Sequence, residues 1–68
     1  MESTLKQDSI EFYEGMKRLA QSQLSHAYYI QSTKFLHNKE QIAWSENRIA
    51  EVPAIIESID YAIEKLMA

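Results

Sequence analysis

The side chains that could take part in catalysis or binding in this 68-residue chain are two histidines and a small group of aromatic and basic residues. His37 and Glu40 stand three residues apart, a spacing that can place two metal ligands on one helix face. Two ligands do not complete a site, so we expect no bound metal. The sequence has no cysteine, no glycine-rich phosphate loop and no recognisable catalytic serine. We therefore expect neither an enzyme nor a cofactor.

The aromatic and basic residues near the middle of the chain are more suggestive. Tyr29 and Trp44 fall outside the main apolar rows, and Lys34 and Lys39 lie between them. Aromatic side chains beside basic ones are typical of protein-binding hot spots, and they can also stack on nucleobases. We interpret Tyr29, Trp44, Lys34 and Lys39 as candidates for binding a partner protein. Packing of Trp44 in a dimer core is the open alternative.

The net charge of −3 conceals an uneven distribution. Residues 1–14 carry four acids and one lysine, residues 15–39 carry four basic residues and no acid, and residues 40–68 carry six acids and two basic residues. The basic segment 15–39 makes a nucleic-acid-binding hairpin the alternative function. The acidic balance of the whole chain argues against it, because phosphate contacts require a basic face.

These residues must be positioned by helices, since the chain has one glycine and one proline and its apolar residues recur at helical spacing. In the C-terminal half an apolar repeat of 3.5 residues predicts a helix that packs along a partner helix. Ser45 is its polar exception. The repeat consists of Ile42, Ser45, Ile49, Val52, Ile56, Ile59, Ile63 and Leu66.

The N-terminal half has two adjacent apolar rows. The first contains Leu5, Ser9, Phe12, Met16, Leu19, Gln23, His26, Ile30 and Thr33, and the second contains Ile10, Tyr13, Ala20, Leu24 and Ala27. Folding the chain at residues 37–38 pairs the first row with the C-terminal repeat, which would place His26 against Ile49. Asn38 and Gln41 can form a capping box after the turn.

The sequence thus predicts one all-α domain over residues 1–68, an antiparallel helical hairpin. Helix 1 is expected over about 4–36, the turn at about 37–38 and helix 2 over about 39–67. Pro53 should kink helix 2 without breaking it, with the Gln23 amide donating to the freed Ile49 carbonyl. Gly15 indicates either a weak point in helix 1 or a close helix approach.

A chain this short buries little surface, and its apolar face is wider than one partner helix covers. We therefore expect a homodimer that forms a four-helix bundle. An antiparallel dimer would set each basic tip against the partner's acidic termini, whereas a parallel dimer would cluster the tips. The expected hairpin and dimer seam comprises Phe12, Met16, Leu19, Ile30, Ile42, Ile49, Val52, Ile56, Ile59, Ile63 and Leu66.

Three features of the stretch from His26 to Ile59 carry a family resemblance: the Ala27-Tyr28-Tyr29 cluster, the Ile42-Ala43-Trp44 run, and Arg48-Ile49-Ala50 followed by Pro53. This half of the chain resembles small helical accessory proteins of the lambdoid phage early lytic region, between exonuclease and excisionase genes. The resemblance implies a non-enzymatic regulatory protein that binds a host component, and it carries over no site residues. In gross architecture the hairpin is also similar to plasmid copy-control hairpins that dimerise and bind RNA.

We accordingly expect a regulatory protein-interaction module with an unidentified protein partner. No signal peptide is recognisable, and no stretch reaches the roughly 18–20 apolar residues that a membrane span needs. The expected location is the cytoplasm, which would be the host cytoplasm for a phage-encoded protein, with no membrane partner.

Overall fold

The protein is an antiparallel helical hairpin. A computed structural model describes the backbone of residues 2–68 and the side chains of residues 5–68. Helix α1 spans Glu2–Ser32, a short 3-10 helix η1 spans Lys34–Leu36, and helix α2 spans Lys39–Met67. The hairpin measures 52 × 16 × 15 Å. Its radius of gyration is 15.5 Å, against about 11 Å for a compact chain of this length. The predicted all-α hairpin is confirmed, and its rod shape leaves much of each helix exposed.

The turn begins earlier than predicted, because α1 ends at Ser32 rather than near residue 36. The hydroxyls of Ser32 and Thr33 both donate to the Tyr29 carbonyl, at 2.9 and 2.7 Å. Such side-chain bonds compete with the helical pattern and favour its termination. The amide of Leu36 then donates to the Thr33 carbonyl, and the chain continues as η1.

The start of α2 agrees with the sequence prediction. The Gln41 amide donates to Asn38 Oδ1 at 2.8 Å, and the Asn38 amide donates to Gln41 Oε1 at 3.0 Å. This reciprocal pair is the expected capping box. It satisfies two backbone donors at the helix start, so α2 begins at Lys39 without help from glycine or proline.

The hairpin core is thin and built largely from small residues. Ala27 and Ser45 are 0% exposed, and small side chains allow two helix axes to approach closely. The Ser45 hydroxyl donates to the Ile42 carbonyl at 2.7 Å and accepts from Gln31 Nε2 at 2.6 Å. The buried hydroxyl of Ser45, the polar exception in the repeat, therefore has both a hydrogen-bond acceptor and a donor as partners. The buried set comprises Ala20, Ala27, Ile30, Ser45, Val52 and Ile59.

Helix α1 packs against α2 mainly through its second apolar row, so the predicted pairing of Phe12, Met16 and Leu19 with α2 is wrong. Ala20 and Ala27 are buried, whereas Phe12, Met16 and Leu19 remain 65%, 41% and 63% exposed. The alanines permit a close approach that the larger side chains would prevent. Two groups remain among the predicted seam residues. Ile30 of α1 is buried as predicted, together with Val52 and Ile59 of α2, and a further set on α2 is half-buried: Ile42, Ile49, Ile56, Ile63 and Leu66.

Helix α2 continues through Pro53, as expected, without a break. Within residues 5–68 the Gln23 amide does not donate to the freed Ile49 carbonyl, so that expectation is wrong; the Gln23 side chain instead accepts from Arg48 Nη1 through its Oε1, at 3.4 Å. The Pro53 side chain is exposed. Water can therefore reach the turn whose hydrogen bond proline removes, which reduces the cost of placing it inside a helix.

Gly15 has room for a side chain, which leads to a stability prediction. A Cβ at this position would meet only the end of the flexible Arg18 side chain, at 3.9 Å. Gly15→Ala should raise the free energy of unfolding by about 1 kcal/mol, because alanine loses less backbone entropy in a helix. Urea unfolding followed by circular dichroism measures this change. A loss of stability would instead indicate that another helix packs closely at Gly15.

Candidate partner-binding site at the hairpin tip

Four aromatic rings meet near the turn, and we call His26, Tyr29, His37 and Trp44 the tip cluster. The His26 ring centroid lies 5.6 Å from that of Trp44 and 6.4 Å from that of Tyr29. The Tyr29 and His37 centroids are 5.9 Å apart. Tyr29 and Trp44, singled out in the sequence, are therefore brought to one end of the hairpin and linked through His26.

Each ring is positioned by a different local feature. His26 and Tyr29 stand three residues apart on the last turns of α1, so their side chains are neighbours on one face. His37 follows η1 and its Nε2 lies 3.0 Å from Thr33 Oγ1. Trp44 projects from the second turn of α2. The expectation that His26 packs in the Ile49 layer is wrong, because His26 is exposed and joins the tip cluster instead.

The two predicted lysines flank an exposed apolar tip. Lys34 lies in η1 and Lys39 is the first residue of α2, and both are exposed. Within residues 5–68 neither forms a salt bridge. Phe35 is 84% exposed and Leu36 is exposed beside it. These two residues were not predicted as surface candidates, because helix 1 was expected to continue through them.

A shallow pocket of about 280 Å³ opens beside the tip cluster. It lies where the end of α1 faces the first turns of α2, so both helices and the capping box contribute to its wall. Trp44 is 39% exposed and forms part of this wall. Glu40 also lines it, although its spacing from His37 in the sequence suggested only metal ligation. The complete lining is His26, Ile30, Asn38, Glu40, Gln41 and Trp44.

One side of the hairpin carries an uncovered apolar surface, which we call the apolar face: Leu5, Phe12, Met16, Leu19 and Ile55. At 100° per residue the four α1 members fall within a sector of about 60°. Helix geometry places Ile55 on the corresponding side of α2, where Arg48 bonds Gln23 and Trp44 contacts His26. The opposite side of the hairpin carries the Lys17–Asp60 ion pair, at 2.6 Å.

The fold and its tip define an all-helical hairpin with an aromatic end and one exposed apolar face. Comparisons with protein-family models, curated proteins and solved structures give no match for this chain. In the part of the chain that the structure describes, neither helix is long and apolar enough to cross a membrane. Among those residues no three histidine, aspartate or glutamate side chains are arranged to hold a metal ion.

Proposed function

We propose that this chain is a non-enzymatic protein-interaction module that dimerises through the apolar face and binds a partner protein at the hairpin tip. The observation that carries the proposal is the apolar face itself. Its five large apolar side chains are each at least 41% exposed, and large apolar patches on a protein surface usually mark interaction sites. The resemblance to phage accessory proteins supports a regulatory role for the partner complex.

The arrangement that fits best is an antiparallel four-helix bundle. A two-fold dimer uses the same patch on both subunits. The antiparallel orientation places the basic tip, with Lys34 and Lys39, near the acidic ends of the other subunit. Opposite charges at these positions favour association and are screened by salt.

The dimer is tested by measuring mass with light scattering after size-exclusion chromatography. Wild type should have twice the 7.9 kDa mass of one chain. Leu19→Glu should shift the mass toward the monomer, because it places a charge in the apolar face. Ser25→Glu is the matched control, since it adds the same charge at an exposed position outside this face. A monomeric wild type, or a Leu19→Glu dimer, would contradict the proposal.

The salt dependence of dimerisation tests whether the two subunits are antiparallel or parallel. The dimer should dissociate more readily as salt rises from about 0.05 to 0.5 M, since screening weakens the attraction between tips and termini. In a parallel dimer the two basic tips repel each other, so added salt would strengthen association instead.

A second candidate function, nucleic-acid binding, is favoured by the exposed Phe35 between Lys34 and Lys39. The Lys17–Asp60 ion pair weakens it, because one cation of the basic segment is already neutralised. The test adds the protein to a fluorescently labelled single-stranded nucleic acid and measures the anisotropy. A rise that weakens with added salt, and that the double variant Lys34→Glu with Lys39→Glu abolishes, would support this function over protein binding.

A further inference from the structure

We propose that the pocket at the hairpin tip binds an arginine side chain of the partner protein. This inference rests on the proposed function and names the chemistry that the tip recognises. Three properties of the pocket support it: an aromatic wall, a carboxylate without an ion pair, and the charge of the lining.

The aromatic wall consists of Trp44 and His26. Their rings meet edge to face, at 63° to each other with centroids 5.6 Å apart, so they do not form a parallel stack. Trp44 keeps 39% of its surface exposed. A cation over an aromatic face is attracted by the ring, most strongly by tryptophan, and arginine is the commoner partner.

The carboxylate is Glu40, four residues before Trp44 and therefore on the same side of α2. Within residues 5–68 it forms no salt bridge. Neither lysine nor arginine is among the described residues that line the pocket. Lys39 precedes Glu40, but consecutive helix residues point about 100° apart. The lining thus presents a negative charge beside an aromatic ring.

A guanidinium group suits this combination better than an ammonium group. It is planar, stacks on aromatic faces and bonds a carboxylate with two parallel N–H groups. The pocket volume of about 280 Å³ is at the lower end of the range for small-molecule sites, a size that suits a single side chain. Asn38 and Gln41 use their side-chain oxygens in the capping box. Their amino groups can therefore donate to carbonyl oxygens of the peptide that carries the arginine.

The test uses Trp44, the single tryptophan of the chain, as its reporter. The full-length protein is titrated with blocked pentapeptides in which a central arginine, lysine or citrulline is flanked by alanines. Arginine should give a saturable fluorescence change, with binding roughly fivefold weaker for lysine and weaker still for the uncharged citrulline. Equal binding of the arginine and citrulline peptides, or no saturable change with arginine, would overturn the proposal.

A charge-removing variant locates the binding. Glu40→Gln should weaken arginine-peptide binding roughly fivefold, whereas Glu57→Gln, the same change at an exposed position outside the pocket, should leave it unchanged. Equal effects of the two variants would count against the pocket. Light scattering on the same samples separates the two proposals: a dimer that does not bind arginine refutes only this inference, and a monomer that binds it refutes only the dimer.

Discussion

Replacing Ile59 with alanine is expected to lower the free energy of unfolding by about 2–5 kcal/mol. Ile59 is 5% exposed in the interface between the two helices, so its truncation removes buried apolar surface and leaves a cavity. A chain of this length has roughly 3–10 kcal/mol of stability in total. The substitution should therefore leave a substantial unfolded population. Thermal unfolding followed by circular dichroism should show a melting temperature at least about 10 °C lower.

Ile55→Ala is the matched control, because it deletes the same atoms from a side chain that is 41% exposed. Ile55 belongs to the apolar face, so both substitutions are best compared in the Leu19→Glu background, in which that face is unpaired. Ile55→Ala should then cost less than about half as much as Ile59→Ala. Equal losses would mean that the hairpin does not bury Ile59 in solution.

Ala27→Leu is expected to destabilise the hairpin by about 1–3 kcal/mol, for the opposite reason. Ala27 is fully buried in a layer made of small side chains. A leucine there has to push the helices apart or adopt a strained rotamer. Separation would also stretch the 2.6 Å hydrogen bond between Gln31 and Ser45. Urea unfolding at fixed protein concentration measures the loss.

The control for this prediction is Ala50→Leu, an identical change at an exposed position of α2. It should alter stability by no more than about 0.5 kcal/mol, as surface substitutions usually do. Wild-type stability in Ala27→Leu would show that the helices are not closely packed in this layer.

The sequence predicted the two helices more reliably than it predicted how they face each other. The repeat from Ile42 to Leu66 fixes the packing side of α2, and Asn38 with Gln41 marks its start. Helix α1 offers two adjacent apolar rows, and periodicity alone does not choose between them. Hydrophobicity favours the row of Phe12 and Leu19, yet the buried row is the one whose alanines allow close approach.

The sequence predicted only some residues of the candidate site. Tyr29 and Trp44 stood out because they fall outside the apolar rows, and the structure brings both beside His26. Glu40 was missed as a pocket residue, since nothing in the sequence shows that it shares a wall with Trp44. The exposure of Phe35 followed from an early helix end. The Ser32-Thr33 pair could have indicated this early end of α1, because its hydroxyls compete for a helix carbonyl.

The hydrogen bond between Gln31 and Ser45 affects how α2 is aligned lengthwise against α1. Because apolar residues of α2 recur every seven positions, α2 could slide by one heptad along α1 and still present aliphatic side chains to it. Such a slip would bring Val52 opposite Gln31 and leave the Gln31 amide without its hydroxyl acceptor. A lost hydrogen bond of this kind costs about 1–3 kcal/mol when the group stays buried. A single polar pair thus selects one alignment among several of similar hydrophobic content, as buried polar residues do in coiled coils.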